Sequence, residues 1–273
     1  MKILIATDME GITGVTTWDQ VTPRHAEYAR FRKLMTQDVN AAIRGAFEAG
    51  AEQVIVADGH WNGSNILIEE VDPRARLNTG SPSPFSMMQG IDESIDGVMF
   101  IGYHARNGSP NAILDHTWSS RTVVNLWLND MLTGEYGLNA ALAGHFGAPV
   151  IMVSGDQTAC AQVTELLGQI ETAVVKQATG RFAAECLAPQ ASQDLIFTGA
   201  ARAVGRLAGG DVPDPFLLDS PVRVTVEFFS SDMADRATRI PFTQRQGTRV
   251  LLSEQSMAAA YNGFQAMVML ASG

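Results

Sequence analysis

Cysteine is scarce in this sequence. Cys160 and Cys186 are the two present, too few for a disulfide framework. Both lie in alanine-rich stretches that read as helical, which makes them buried thiols. Basic residues are outnumbered as well: 19 Lys and Arg stand against 29 Asp and Glu, for a net charge of −10. A chain this acidic gains no counterion-release affinity for nucleic acid and is repelled by anionic membranes. No apolar run approaches a membrane span, and the first residues enter a strand without a signal-peptide pattern. These absences point to a cytoplasmic protein with neither nucleic acid nor membrane among its partners. Familiar catalytic signatures are also missing. There is no Gly-x-x-x-x-Gly-Lys-Ser/Thr loop, no Gly-x-Ser-x-Gly elbow, no His-Glu-x-x-His, and no Gly-x-Gly-x-x-Gly after the first apolar run. Their absence favours metal-assisted hydrolysis over the other chemistries of α/β proteins.

What is present is an ordinary globular composition. The 273 residues, 46% of them hydrophobic, suffice for one large core or two domains. Apolar runs at Ile3–Ala6, Gln53–Ala57, Gly97–Ile101 and Pro149–Val153 predict buried strands. Between the first two, helical spacing of Phe31, Leu34, Met35, Val39, Ala42, Ile43, Ala46 and Phe47 predicts a long amphipathic helix, with Thr22-Pro23 as its start and Gly50 as its stop. Residues 61–96 are polar and irregular, with a short helix expected around Met87, Met88 and Ile91. Thr122–Leu128 alternates like a strand, Asn129-Asp130 marks a turn, and Glu135 stands just before a helix over about Leu138–Phe146. Strand, crossover helix and strand in repetition predict an α/β fold with a mostly parallel sheet flanked by helices. Beyond residue 188 the texture changes: helix Ser192–Leu207, alternating strand Val222–Phe228, a short helix, strand Thr248–Leu252 and a last helix Ala258–Leu270. This predicts a catalytic α/β domain over 1–188 and a smaller α+β domain over 189–273.

The chemistry collects at the ends of the predicted strands, where ligand sites of open α/β sheets lie. Ile3–Ala6 runs into Asp8 and Glu10, the second strand into Asp58-Gly-His60, the third into Gly102-Tyr-His104. Alternation along an extended backbone points Asp8 and Glu10 to one side. Two such carboxylates repel each other, and in a buried place they need a cation, a shared proton or hydrogen bonds; capping a following helix is their alternative role. Glu135 is a further candidate, or simply a helix-start acid. Imidazoles with carboxylates form a ligand set for zinc or a similar divalent ion. Three carboxylates and two histidines exceed one open tetrahedral site, but with one carboxylate shared they suit two metals about 3.5–4 Å apart. Asp58 and Asp156 are alternative ligands or loop-orienting acids. His116, between Asp115 and Thr117, is a candidate general base or nucleophile held by a carboxylate, or else a surface histidine. His25 and His145 receive no role.

Asp8-Met-Glu-Gly11, Asp58-Gly-His60, Gly102-Tyr-His-Ala105, Asp115-His-Thr117 and Gly134-Glu-Tyr-Gly-Leu-Asn-Ala140, in this order, resemble the M55 family of metallopeptidases, whose best-known members are D-aminopeptidases. The resemblance runs from residue 1 to about 156. It implies two zinc ions per chain: Asp8 bridging, Glu10 and His60 on one metal, His104 and Glu135 on the other, with His116 as the catalytic histidine. It also implies a homo-oligomer, a decamer of two stacked five-membered rings enclosing the sites and admitting short peptides. One position departs from the family: Ala6 stands where a serine is usual two places before the aspartate. The expected activity is removal of N-terminal D-amino acids such as D-alanine from short peptides. The alternatives are an amidase for β-amino or other non-standard peptides, and a peptide-binding or transport-accessory protein with a structural metal.

Overall fold

The computed structural model describes residues 1–273. In chain order the elements are β1 (Lys2–Thr7), α1 (Trp18–Val21), α2 (Tyr28–Glu48), β2 (Gln53–Asp58), β3 (Arg76–Asn78), β4 (Gly97–Tyr103), β5 (Val123–Leu128), β6 (Met131–Thr133) and α3 (Glu135–His145). They continue as β7 (Val150–Asp156), α4 (Gln157–Leu167), β8 (Glu171–Gly180), β9 (Ala183–Cys186), α5 (Pro189–Ala208), β10 (Val222–Phe228), α6 (Ser231–Ala237), β11 (Gln244–Gln246), β12 (Arg249–Glu254) and α7 (Met257–Ser272).

The expected mostly parallel sheet is present: seven strands in the order β3-β2-β1-β4-β7-β8-β9, parallel except for the β8–β9 pair. Period-two alternation divides β1 between two cores. Ile3 and Ile5 pack with Met99 and Ile101 against α2 and α5, while Leu4 and Ala6 face the opposite core with Val98, Phe100 and the apolar residues of α3. A second, antiparallel sheet in the order β11-β12-β10-β5-β6 closes that opposite core together with α7. It draws β5 and β6 from before residue 188 and β10, β11 and β12 from after it, so the chain passes between the sheets three times. No helix is long and apolar enough to cross a membrane.

Two local expectations are corrected. Thr22-Pro23 does not start the long helix: the Thr22 N–H closes α1 on the Trp18 carbonyl, Arg24 takes a positive φ of 82°, and α2 begins only at Tyr28. Cys186 is neither helical nor buried. It ends edge strand β9 and is exposed, whereas Cys160 is buried in α4 as expected, and burial pushes its thiol up to about 12.

The order 3-2-1-4 reverses direction in sequence at the β1–β4 boundary, the topological switch point where open α/β sheets place their ligands. The two strand ends are drawn together there. The Asp8 N–H donates to the Ile101 carbonyl at 2.9 Å, and the Gly11 N–H to the Gly102 carbonyl at 2.8 Å. A Cβ on Gly11 would stand 2.0 Å from the Tyr103 oxygen, and one on Gly102, whose φ is +77°, 2.3 Å from the Asp8 oxygen. Only glycine permits this approach.

Candidate metal centre

The loop after β1 carries Asp8 and Glu10, the end of β2 carries His60, the end of β4 carries His104, and Glu135 opens α3 at its first turn. His116 comes from the irregular stretch between β4 and β5. All six side chains converge, and all six residues are buried. His60 Nδ1 lies 3.2 Å from Asp8 Oδ1 and 3.1 Å from Glu10 Oε2. His104 Nε2 lies 3.3 Å from Asp8 Oδ2 and 3.0 Å from Glu135 Oε1. Asp8 therefore stands between the two histidines and turns one oxygen to each. His116 stacks on His104, with centroids 4.0 Å apart, and its Nε2 is 3.7 Å from Glu135 Oε1.

Each imidazole has one nitrogen committed to a backbone carbonyl: His60 Nε2 to Val21 at 2.8 Å, His104 Nδ1 to Ala105 at 3.0 Å and His116 Nδ1 to Leu114 at 2.9 Å. An N–H donated to a carbonyl fixes the tautomer and leaves the other nitrogen as a lone-pair donor toward the shared centre, which is how metal-binding histidines are usually held. Glu10 Oε2 and His104 Nε2 are buried without a hydrogen bond, although oppositely charged groups lie beside them. Atoms that approach one another without hydrogen-bond geometry are aimed at a common point rather than at each other. The donor set accordingly suits divalent metal, and two groups of three donors, Asp8–Glu10–His104 and His104–His116–Glu135, are compact enough to hold an ion.

The electrostatics of the bare site agree. Burial acts to depress His60 and His104, but the carboxylates outweigh it: Glu10 with Asp8 raises His60, and Glu135 with Asp8 raises His104, both well above the usual imidazole range. Burial likewise opposes ionisation of Asp8 and Glu135, yet His104, with His60 in the case of Asp8, holds both below the ordinary carboxylate range. Positive charge is demanded at this spot, and protons or metal ions can supply it. His116 differs: burial and the neighbouring His104 push its pKa down, so its imidazole is neutral near pH 7.

The alternative ligands have other duties. Asp58 accepts from the Asn65 and Ile66 N–H groups and the Asn65 amide, and Asp156 caps α4 through the Ala159 N–H while receiving the Ile113 N–H. Both orient loops. Asp115 does not hold His116: it pairs with Arg181 at 2.9 Å and takes the Gly108 N–H, and the Leu114 carbonyl positions the imidazole instead. Ala6 packs in the core beneath Asp8, so the missing hydroxyl is replaced by apolar contact.

Two buried charges were not foreseen. Lys176 of β8 donates to the carbonyls of Glu10, Ile12 and Val15 at 2.6, 2.9 and 2.8 Å, and Asp38 of α2 accepts the Thr13 N–H at 3.0 Å. Together they clamp the loop that presents Asp8 and Glu10. Lysine inside the apolar run Ala173-Val-Val-Lys176 was the signal available in sequence. Lys176→Met should orphan three buried carbonyls, lower stability by roughly 3 kcal/mol and weaken metal retention. Thermal unfolding and a divalent-metal titration test this, and a variant as stable and as metal-replete as wild type would remove the clamp.

Burial pushes Asp38 up to about 6 against the Thr13 N–H and Lys176, which favour its charge. A carboxyl raised on folding stabilises when protonated, below the unfolded value near 4, and that contribution is lost as pH rises through 6. The stability of wild type relative to Asp38→Asn should therefore fall by about 3 kcal/mol from about pH 4 to about pH 7. Urea unfolding of both proteins across that range measures the difference, and a pH-independent difference contradicts the assignment.

A cavity of about 570 Å³ opens onto Asp8, Glu10, His60, His116 and Glu135 between Trp18, Trp61 and Trp118, while His104 lies beneath its floor. A second cavity of about 300 Å³ adjoins it, sharing Trp61, Trp118 and Glu135. A buried cluster of histidines and carboxylates at the switch point of a parallel sheet, opening into a peptide-sized cavity, defines a metal-dependent hydrolase.

Comparison with known proteins narrows the class. The profile of peptidase family M55, described as D-aminopeptidase, matches residues 1–266, and the chain belongs to that family of peptide-bond hydrolases. It is 36% identical to a D-aminopeptidase of Bacillus subtilis (strain 168) over 274 residues, spanning 99% of this chain and 98% of that one. Its fold superposes with a TM-score of 0.95 and 34% identity on the Zn-dependent D-aminopeptidase DppA from Bacillus subtilis, described as a self-compartmentalizing protease, covering 100% of this chain and 98% of the other.

Proposed function

We propose that this protein is a binuclear zinc aminopeptidase that releases N-terminal D-amino acids, such as D-alanine, from short peptides. The observation that carries the reading is Asp8, which turns its two oxygens to histidines on opposite sides. Asp8, Glu10, His60, His104 and Glu135 would hold the zinc ions, Asp8 being the ligand shared between the His60–Glu10 side and the His104–Glu135 side. When bound, the zinc ions supply Lewis-acid polarisation of the scissile carbonyl and lower the pKa of water. His116 acts beside them. Its Nδ1–H is tied to the Leu114 carbonyl, so its neutral Nε2 can take a proton from the attacking water and return it to the leaving amine. A carboxylate lining the cavity would receive the substrate's free amine and so set the exopeptidase register. The tryptophan walls limit water around the reacting bond.

The self-compartmentalizing relative and the exposed Phe242 and Leu217 support a homo-oligomer, with a decamer enclosing the sites as the form proposed. A cytoplasmic location belongs to the same reading. Alanine release from D-Ala-D-Ala and L-Ala-L-Ala by zinc-loaded protein is the test. Turnover of the D-peptide alone is expected. Turnover of neither, with zinc bound, would move the assignment to β-linked or otherwise unusual peptides.

A further inference from the structure

The walls of the larger cavity differ in chemistry. One side presents the carboxylates of Asp8, Glu10 and Glu135, and Arg121 is the single lysine or arginine that lines it. Arg121 is exposed and makes neither hydrogen bond nor ion pair, whereas Arg181, from the neighbouring strand connection, is tied to Asp115. Arg121 sits on a tight turn in which Thr122 and Val123 both donate to the Ser119 carbonyl. Within that turn the N–H groups of Ser120 and Arg121 find no acceptor in the chain, and the hydroxyls of Ser119 and Ser120, which also line the cavity, have no partner. Arg121, the two hydroxyls and the two free N–H groups thus offer a cluster of unpaired donors in the same cavity as the carboxylates.

A free peptide in this cavity is a zwitterion whose amine end belongs with the acceptors. Its carboxylate needs donors at the other end of the cavity, and a planar guanidinium flanked by hydroxyls matches a carboxylate in bidentate geometry. We propose that Arg121, assisted by Ser119 and Ser120, binds the C-terminal carboxylate of the substrate and makes the protein selective for short peptides with a free C-terminal acid. The inference rests on the aminopeptidase reading of the site and adds a residue that recognises the substrate's C-terminal end.

The test compares D-Ala-D-Ala with D-Ala-D-Ala amide, which differ only in the carboxylate. Zinc-loaded wild type should favour the acid by about 10- to 100-fold in kcat/KM, chiefly through KM. Arg121→Gln should bring the ratio close to one, and Arg121→Lys, a point charge without the fork, should leave it intermediate. A wild type that treats acid and amide alike, or an Arg121→Gln variant that keeps the preference, overturns the proposal. If wild type turns over neither compound, the aminopeptidase reading has failed, and the same pair is then compared by quenching of the cavity tryptophans at equilibrium. Tighter binding of the acid, lost in Arg121→Gln, upholds the carboxylate site even then. Equal binding, or none, overturns it.

Discussion

Asp8→Ala should abolish turnover and empty both metal positions together. Asp8 turns one oxygen to His60 at 3.2 Å and the other to His104 at 3.3 Å. On the proposed reading its loss removes a shared ligand from both metal positions and leaves His60 and His104 without the carboxylate that both face. Metal assistance is worth several kcal/mol of transition-state stabilisation, and each 1.36 kcal/mol is tenfold in rate. The expected fall in kcat/KM is therefore more than about 10³-fold, with zinc content dropping from two per chain toward none. Asp8→Asn keeps the volume and one oxygen donor, so it separates ligand loss from disruption of the fold. Circular dichroism should show both variants folded. Two zinc ions retained with turnover near wild type, in either variant, would sink the assignment of Asp8 as the shared ligand.

His116→Ala should separate chemistry from metal binding. The imidazole is buried, its pKa is depressed by burial and by His104, and its tautomer is held by the Leu114 carbonyl. A positioned general base contributes about 10²–10⁴-fold, and kcat should fall by that factor while KM changes little and both zinc ions stay bound. The competing outcome has a structural basis, because His104, His116 and Glu135 together form one of the compact donor groups. Loss of one zinc from the variant, measured by elemental analysis after gel filtration, would make His116 a ligand rather than the base.

Much of this site was legible in one dimension for a simple reason. A buried parallel strand reads as a short apolar run, and the first polar residues after it stand at the ligand-binding edge of the sheet. Asp8, Glu10, His60 and His104 each follow such a run, and β1, β2 and β4 are adjacent in the sheet. Glu135 was legible through the Asn129-Asp130 turn, whose two positive-φ residues join β5 to β6 directly ahead of α3. Helix limits were less secure. At Thr22-Pro23, a cap-like pair was overruled by the turn that closes α1, since local preference is worth about 1 kcal/mol and packing decides at that level.

Residue order alone thus determined the parallel α/β framework, the strand ends and the residues able to ligate metal, because period and apolar runs depend on neighbours in the chain. The tertiary structure decided the rest, where the determining contacts are remote in sequence. Lys176 reaches Glu10 across 166 residues, Asp38 reaches Thr13 from a helix, and Trp118 and Arg121 form cavity walls from an irregular loop without periodic pattern. It also decided which acids join the histidine cluster and which hold loops: Asp8 and Asp58 both stand at strand ends, but Asp8 lies at the switch point between β1 and β4, where two histidines reach it, and Asp58 accepts loop N–H groups.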